Sequence, residues 1–289
     1  MRKILRKIKK IVSRSFLLES IIVFLLKTKI RLFYSFVPSH TLYEKGAVRK
    51  FVRRNIHLNL DISELISWAW YFRYEEKWLL NLASLIKPGD VFFDIGANIG
   101  TTSLFISKNT PCSMIYSFEP DEINYNKFKY HIVLNKIENI QLQKNGIGDE
   151  MGVKKLFRVS ENNPGMNKII DDGSTDNNTA FTEIEIKRMD DFVKDLKIEK
   201  ISIVKIDVEG YELKVLKGAQ ETIKKYLPII CLEVVNSLLL SQKSSANEVL
   251  EFIKNLGYSK FLDAHTMREI KNFNKDFNCD VICLPKLYN

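Results

Sequence analysis

Cysteine and histidine are scarce in this chain of 289 residues, with four of each. The cysteines, Cys112, Cys231, Cys279 and Cys283, form no C-x-x-C pair, and the histidines lie far from them in sequence. Structural zinc sites and disulfide frameworks depend on closely spaced or paired ligands. The sequence therefore predicts neither, and it favours a protein of a reducing compartment, which is the cytoplasm.

Acidic residues are nearly missing from the N-terminal fifth of the chain. Residues 1–60 hold 15 Lys or Arg and 2 Asp or Glu, a net charge of +13, whereas the remaining residues have a net charge of −4. The whole-chain charge of +9 therefore comes from the N-terminal part. The mild acidity of the rest argues against a broad nucleic-acid-binding face, so no nucleic acid partner is expected.

The sequence also lacks an apolar run long enough to span a membrane, which takes about 20 residues. The segment FLLESIIVFLL is shorter, and Glu19 interrupts it. Before it, MRKILRKIKKIVSRSF places apolar side chains at helical spacing and basic ones mostly on the other face. We expect residues 1–39 to be a basic amphipathic extension whose residues 1–26 lie on an anionic membrane surface, at the inner face of the membrane. The alternatives are a helix packed on the main domain or a partner, and a signal peptide, although no small-residue cleavage site follows.

Residues 40–289 are expected to form one domain, with a helical lead-in over 40–87 and a core over 88–289. The turn Lys87-Pro88-Gly89-Asp90 separates the two. In the core, apolar strands alternate with helices, which is typical of a mainly parallel α/β sheet covered on both faces. The predicted strands are 91–95, 114–118, 140–143, 201–206, 229–235, 258–262 and 280–284, and the predicted helices are 101–107, 121–134, 211–226 and 247–256.

An insertion over about 150–190 breaks this alternation. VKKLFRV and FTEIEIKRM are predicted to pair as strands on either side of residues 161–180, which are rich in Asn, Asp and Gly. We interpret residues 161–180 as a mobile surface segment over the active site.

The stretch VFFDIGANIG, residues 91–100, places an acid and two glycines at the end of the first core strand, where open parallel sheets bind ligands. It does not match the dinucleotide fingerprint G-x-G-x-x-G. Asp94 would repel a pyrophosphate but attract a cationic amine. Glu119 ends the next strand, where a carboxylate can accept hydrogen bonds from both ribose hydroxyls. The two acids favour S-adenosylmethionine, which has an α-ammonium and a sulfonium and no phosphate; the alternative is that both acids only cap the helices that follow.

VFFDIGANIGTTS, YSFEP, VKIDVEGYELKVLKGA and IICLEV, in that order, resemble the FkbM-type methyltransferases from about Tyr74 to Leu284. The resemblance implies a class I methyltransferase (Rossmann-like) fold with a seven-stranded sheet ending in an antiparallel hairpin. It also implies S-adenosylmethionine as methyl donor and, most often, a sugar or other hydroxyl as acceptor. By the same resemblance the methionine part of the donor would contact Asp94, Gly96, Ala97, Asn98 and Gly100, the ribose Glu119 with Pro120 beside it, and the adenine Gly148 and Asp149.

A hydroxyl acceptor has to lose its proton, so a general base is expected within hydrogen-bond reach of it. Asp207 is the best candidate because it ends the fourth core strand in IVKIDVEG, and Glu209 and Glu212 follow at the turn and the start of the next helix. The alternative for Glu209 and Glu212 is that they complement the positive N-terminal end of that helix. Lys205 is expected to pair with a nearby acid.

Asp207, Glu233 and Asn236 together would offer oxygen ligands to Mg²⁺. We favour an acceptor-binding role for Glu233 and no metal. The sequence therefore predicts an S-adenosylmethionine-dependent O-methyltransferase that acts on a glycan or glycolipid. A catalytically inactive scaffold and a methyltransferase of lipid, protein or nucleic acid are the alternatives; an N-P-P-Y-like motif, typical of nucleic-acid amino-methyltransferases, is replaced by D-V-E-G-Y.

Overall fold

A computed structural model describes residues 2–26, 28, 30–72, 77–158, 167–169, 180–271, 273 and 277–286. The described residues divide into two compact units: an N-terminal unit within residues 2–72 and a core unit within residues 77–286. Most of the predicted lead-in therefore groups with the basic extension and not with the core, because its elements contact the N-terminal helices.

The N-terminal unit consists of short helices and one hairpin. In chain order these elements are α1 (Arg2–Ser13), α2 (Phe16–Leu26), α3 (Arg31–Tyr34), a 3₁₀ turn (His40–Leu42), β1 (Val48–Arg53), β2 (Ile56–Asp61) and α4 (Leu65–Phe72). Throughout the described ranges, no helix has both the length and the apolarity needed to cross a bilayer.

The expectation of a helical lead-in over 40–87 is wrong between residues 48 and 61, where β1 and β2 form an antiparallel hairpin. In β2, buried Ile56, Leu58 and Leu60 alternate with more exposed residues, which is the period of a half-buried strand. The connecting Arg54 and Asn55 both have positive φ, +46° and +61°. Two such residues are typical of the tight turns that join hairpin strands.

The core unit alternates strands and helices as predicted. Its elements are α5 (Lys77–Ser84), β3 (Val91–Ile95), α6 (Thr101–Asn109), β4 (Met114–Phe118), α7 (Glu122–Leu134), β5 (Ile140–Gln143), β6 (Gly146–Ile147), β7 (Gly152–Phe157), β8 (Lys168–Ile169), β9 (Phe181–Lys187), α8 (Met189–Asp195), β10 (Ile203–Ile206), α9 (Glu212–Gly218), α10 (Gln220–Tyr226), β11 (Ile229–Val235), α11 (Asn236–Ser241), α12 (Ala246–Asn255), β12 (Tyr258–Asp263) and β13 (Asn278–Pro285).

Seven of these strands form one sheet in the order β12-β13-β11-β10-β3-β4-β5. The five strands from β11 to β5 are parallel, and β13 pairs antiparallel with both β11 and β12. Buried apolar residues such as Phe93, Phe118 and Val204 fill the space between the sheet and its helices. The fold class is confirmed, including the antiparallel hairpin at the end of the sheet.

A second sheet, of order β6-β9-β7-β8, contains the predicted strand pair. β7 and β9 are antiparallel, from Gly152 opposite Ile186 to Phe157 opposite Phe181. Within the predicted insertion over about 150–190, most of the segment 161–180 lies outside the described residues; the described part of this segment includes β8, which pairs with β7. The predicted placement over the active site stays a prediction.

The helix predicted over 211–226 is two helices, α9 and α10. Ala219, between them, leaves helical geometry with φ −113° and ψ 7°. Gly218 ends α9 against the backbone of Gly148, where an added Cβ would lie 1.8 Å from the carbonyl oxygen. This close approach fixes the end of α9, and the helical periodicity of the sequence does not reveal it.

Candidate active site

The predicted functional residues meet at the carboxyl ends of four neighbouring strands. Asp94 lies in β3, Glu119 and Asp207 follow β4 and β10, and Glu233 lies in β11. The chain runs from β3 outward through β4 to β5, and β10 lies on the other side of β3. The strand order therefore reverses between β3 and β10, and ligands of open α/β sheets bind at such a switch point.

The loop after β3 is held close to both neighbouring strands. Gly96 has φ +79°, and an added Cβ would lie 1.9 Å from the carbonyl oxygen of Asp207. The backbone N–H groups of Gly96 and Ala97 donate to the carbonyl oxygen of Phe118 at 3.1 and 3.0 Å. Asn98, the next residue, is also left-handed, with φ +52°. Only glycine fits the first position, because there the backbone of β10 occupies the place of a side chain.

Gly100 has a different reason to be glycine. With φ +86°, its added Cβ would lie 1.9 Å from Cδ2 of Phe128 on α7. His131, also on α7, has Nδ1 3.0 Å from the carbonyl oxygen of Ile99. The second glycine of the motif thus brings α7 against the start of α6 and fixes the far end of the loop.

Glu119 binds the loop by its carboxylate. Oε2 accepts a hydrogen bond from the N–H of Asn98 at 2.7 Å, and Oε1 accepts one from the N–H of Asp121 at 2.9 Å. The residue is 6% exposed, and burial raises its pKa to about 7 although the two N–H groups act to lower it. Each oxygen keeps a second lone pair, so the carboxylate can still accept hydrogen bonds from a diol such as ribose.

The alternative that Asp94 and Glu119 cap helices is wrong. The N-cap of α6 is Gly100, without a side-chain cap, and that of α7 is Asp121, whose carboxylate accepts from the N–H groups of Ile123 and Asn124. Pro120, between Glu119 and this cap, is half-buried.

Asp94, which the resemblance places at the methionine part of the donor, does not face an open cleft. It is fully buried; Oδ2 accepts a hydrogen bond from Ser103 Oγ at 2.5 Å, and Oδ1 lies 3.3 Å from Lys205 Nζ. Asp94 and Lys205 are direct neighbours in the parallel pairing of β3 and β10. The positive charge that Asp94 attracts is therefore that of the protein's own lysine. The structure gives Asp94 a role in supporting the loop, and its predicted contact with the donor stays a prediction.

Lys205 connects the loop after β3, residues 96–100, with Asp207, the predicted base. We call this loop the donor loop, after its predicted ligand. Its Nζ donates to the carbonyl oxygen of Gly96 at 2.9 Å and lies 3.4 Å from Asp207 Oδ2. Burial alone would lower its pKa, but the charges of Asp207 and Asp94 outweigh it and the pKa of Lys205 is raised. Lys205 is thus a permanent cation between the donor loop and Asp207.

Three carboxylates cluster beside this lysine. One oxygen each of Asp207, Glu209 and Glu233 lies within 4.8 Å of the others. Burial, followed by the charge of Asp207, raises the pKa of Glu209 to about 7 and that of Glu233 to about 9. Glu233 also lies opposite Asp280 in the pairing of β11 and β13. These acids are close enough to share a cation, and equally to share protons.

Asn236, the predicted third metal ligand, has another partner. Its Oδ1 accepts a hydrogen bond from the N–H of Ala246 at the start of α12, at 2.9 Å. This bond joins α11 to α12 through Asn236. The side chain that lies close to Asp207 and Glu233 is that of Glu209 and not that of Asn236.

The turn after β10 is strained. Glu209 has φ +55° and Gly210 has φ +102°, and an added Cβ on Gly210 would lie 2.7 Å from the carbonyl oxygen of Leu238. Glu212 Oε1 accepts hydrogen bonds from the N–H groups of Val208 and Gly210 at 3.2 and 3.1 Å. Glu212 thus stabilises the turn itself, and Glu209 is left in the carboxylate cluster.

Gly148 and Asp149, predicted at the adenine, follow β6. An added Cβ on Gly148 would lie 2.9 Å from Ile186 Cγ2 and 3.1 Å from Tyr211 Cε1. Asp149 Oδ2 lies 3.8 Å from Lys214 Nζ. These contacts are with β9 and with the start of α9, so the adenine role stays a prediction.

Two residues of the site were missed from the sequence. Ser103 binds Asp94, and Asp280, whose pKa is raised by burial, pairs with His265 Nε2 at 2.9 Å beside Glu233. Ser103 could not be predicted, because a serine on a helix nine residues after Asp94 is not by itself a sign of a functional role. The position of Asp280 depends on the β11–β13 register, which the sequence does not specify.

A residue set of this kind suits S-adenosylmethionine. The loop presents backbone, the buried Glu119 carboxylate would accept hydrogen bonds from a diol, and the carboxylates of Asp207, Glu209 and Glu233 would complement a cationic ligand. Gly96 has no room for a side chain, because its backbone lies against the carbonyl oxygen of Asp207. The set does not suit a pyrophosphate.

Known proteins resemble the chain over this region. A curated relative, the 31-O-demethyl-FK506 methyltransferase FkbM of Streptomyces tacrolimicus, is 27% identical over an alignment length of 161 residues, and the alignment covers 47% of this chain and 62% of that protein. The hexuronic acid methyltransferase AglP of Haloferax volcanii is 27% identical over 132 residues, 46% of this chain and 51% of its own. The chain thus spans between half and two thirds of the length of these relatives.

A solved structure, the methyltransferase FkbM of Methylobacillus flagellatus KT, aligns with 70% of this chain and 45% of its own at 17% identity and a TM-score of 0.42. The model of the methyltransferase FkbM domain matches residues 94–260, more than half of the chain. This match covers the donor loop, Glu119 and the carboxylate cluster, and it confirms the predicted cofactor, S-adenosylmethionine. The chain belongs to the FkbM methyltransferase domain family.

Proposed function

We propose that the protein transfers a methyl group from S-adenosylmethionine to a hydroxyl oxygen of a sugar, glycan or glycolipid. The observation that supports this most is the position of the Asp207 and Glu209 carboxylates, which lie within 4.8 Å of each other at the end of β10, directly beside the loop of Gly96. A base at this place is what a hydroxyl acceptor needs.

The donor would be held by the backbone of Gly96, Ala97 and Asn98 and by the Glu119 carboxylate, which receives the ribose hydroxyls. When bound, S-adenosylmethionine supplies the activated methyl group. Asp94 and Lys205 contribute by fixing the loop, through the contacts of Lys205 Nζ with Asp94 Oδ1 and the Gly96 carbonyl oxygen. Much of the rate enhancement of such a transfer comes from holding the reacting atoms in line.

The Asp207–Glu209 pair acts as the base. Asp207 accepts the hydrogen bond of the acceptor hydroxyl, and the proton passes to the pair as the oxygen acquires the methyl group. The pKa of Glu209, about 7, lies near neutral pH, where a general base is most effective. Because the two carboxylates interact, the proton belongs to the pair and not to one residue.

The class of acceptor is supported by two relatives. One is named for a 31-O-demethyl substrate, which fits methylation of a hydroxyl oxygen, and the other for a hexuronic acid, which is a sugar acid. The low identity of these matches makes the acceptor a proposal.

The test is transfer of labelled methyl groups from S-adenosylmethionine to a panel of hexuronic acid glycans, neutral glycans and glycolipids, with the full chain. We expect an O-methylated product with the parent and with Asp195→Asn, an exposed aspartate on α8 that serves as the control. Asp207→Asn should lower turnover by about 10²–10⁴-fold. A chain that binds the donor but methylates no hydroxyl acceptor would favour the scaffold alternative.

A further inference from the structure

Large apolar side chains are exposed in unusual number on the N-terminal unit. Of the 20 that are exposed within the described residues, 11 lie between residues 4 and 52: Ile4, Ile11, Phe16, Leu17, Leu18, Ile21, Phe24, Ile30, Leu32, Val48 and Val52. Exposed apolar residues that are scattered singly need no explanation, but a concentration of them marks an interaction surface.

The orientation of α2 concentrates these residues on one side. Glu19, the acid that interrupts the apolar sequence, is fully buried, and its carboxylate receives Arg49 Nε at 2.6 Å and Arg49 Nη2 at 3.1 Å. This two-bond ion pair turns the acid of α2 toward β1. The opposite side of the helix is consequently free of charge.

Helical geometry shows which side chains share that outward side. At about 100° per residue, Leu17, Ile21 and Phe24 lie within about 60° of each other, on the face opposite Glu19. Phe16 lies about 60° from Glu19, and its ring centroid is 5.6 Å from Cζ of Arg49. Leu17 is 70% exposed and Phe24 65% exposed. The outer face of α2 is therefore apolar along its length, interrupted only by the small Ser20.

The neighbouring helix α1 adds positive charge. Its exposed basic residues Lys3, Arg6, Lys7 and Lys10 lie next to exposed Ile4 and Ile11. Residues 1–60 as a whole have a net charge of +13. An apolar face bordered by a strong positive charge complements one kind of surface well, the headgroup region of an anionic bilayer.

We propose that the N-terminal unit binds the surface of anionic phospholipid membranes through α1 and α2. The apolar face of α2, with Ile4 and Ile11, enters the boundary between headgroups and acyl chains, and the lysines and arginines of α1 contact lipid phosphates. The helices lie on the membrane, because neither has the length to cross it. This binding is independent of the methyl transfer proposed above and is measured without it.

The test is flotation of the full chain with vesicles of phosphatidylcholine alone and of phosphatidylcholine with about 30 mol% phosphatidylserine. The chain should float with the anionic vesicles and much less with the neutral ones. Binding should weaken as salt rises from about 0.1 M to about 1 M, because the Debye length falls from about 10 Å to about 3 Å.

Two double variants distinguish binding by the apolar face of α2 from non-specific binding by any exposed apolar side chain. Leu17→Ser with Phe24→Ser removes exposed apolar groups from α2 and should weaken binding by about tenfold or more. Val133→Ser with Leu196→Ser removes groups that are 71% and 50% exposed on the core unit and should leave binding unchanged. Circular dichroism checks that both variants are folded.

Three outcomes would overturn the proposal. A folded chain that does not float with anionic vesicles lacks the membrane surface. Equal flotation of the two double variants places the binding outside α2. A chain that binds no vesicles, and forms a dimer that Leu17→Ser with Phe24→Ser abolishes, has a self-association face instead.

Discussion

Lys205 Nζ lies 3.3 Å from Asp94 Oδ1, a contact between two side chains that are 7% and 0% exposed. The same nitrogen lies 3.4 Å from Asp207 Oδ2. A single buried cation therefore balances Asp94, beneath the loop after β3, and part of the charge of Asp207 and Glu209, the proposed base pair.

Replacing this cation should destabilise the fold strongly. Lys205→Met leaves Asp94 buried without its counter-ion, which we expect to lower the free energy of unfolding by about 3–5 kcal/mol. Lys200→Met is the matched control, since Lys200 Nζ pairs with Asp90 Oδ1 at 2.9 Å but is 53% exposed. Exposed pairs contribute about 1 kcal/mol or less. Urea unfolding of the two variants measures the difference, and equal losses would contradict the buried role of Lys205.

The requirement for glycine at position 96 can be separated from backbone strain. Gly96 and Gly89 have φ of +79° and +77°, but only at Gly96 does an added Cβ meet another group within 4 Å. Gly89→Ala should cost about 1–2 kcal/mol of stability from the left-handed conformation alone. Gly96→Ala should cost more and also abolish donor binding. Similar unfolding midpoints for the two variants would contradict the steric role of the Asp207 carbonyl oxygen beside Gly96.

The pH dependence of turnover should report Glu209. Its pKa is raised to about 7, so the carboxylate is ionised and able to accept a proton only above that pH. At saturating donor, turnover should rise by about tenfold per pH unit below about pH 7 and then level off. Glu209→Gln should lose this dependence together with much of the rate. A pH profile that is unchanged in Glu209→Gln would move the base function to Asp207 alone.

Metal removal should leave turnover unchanged. The cluster of Asp207, Glu209 and Glu233 offers oxygen ligands, but burial raises the pKa of Glu233 to about 9, so that residue holds a proton at neutral pH. A cluster that is partly neutralised by protons and by Lys205 does not need a divalent cation. Turnover that is lost in excess EDTA and restored by Mg²⁺ would contradict this.

The sequence predicted much of the core unit and its site. β3, β4, β5 and β11 have the predicted bounds, because apolar strand segments are bordered by turn residues. The positions of Gly96, Glu119 and Asp207 followed from the rule that ligands bind at carboxyl ends of parallel strands. The hairpin β1–β2 was missed although Ile56, Leu58 and Leu60 alternate with polar residues, because the aromatic helix that follows dominated the pattern.

What could not be predicted depends on strand register. Asp94 faces Lys205, and Glu233 faces Asp280, only because β3 pairs with β10 and β11 with β13 at those positions. A one-residue shift would turn each side chain to the other face of the sheet. The sequence therefore placed Asp94 at the right end of the right strand but did not show that Lys205 is its partner.

Donor binding should depend on pH through Glu119. Its pKa is raised from 4.5 to about 7, so in the free protein the group is mostly protonated at about pH 6 and mostly ionised at about pH 8. A carboxylate accepts hydrogen bonds from both ribose hydroxyls only when it is ionised. Affinity for S-adenosylmethionine should therefore be about tenfold higher at about pH 8 than at about pH 6. Equal affinities at the two pH values would show that Glu119 is not in the donor site.

The central claim is the donor site built on the Gly96 loop and Glu119, and calorimetric titration of the full chain with S-adenosylmethionine at about pH 8 tests it most directly. Glu122→Gln, at a side chain that is 61% exposed, is the matched control for Glu119→Gln. The account predicts binding by the parent and by Glu122→Gln, and binding weakened by about tenfold or more in Glu119→Gln. No binding by the folded parent, or equal binding by Glu119→Gln, would contradict it.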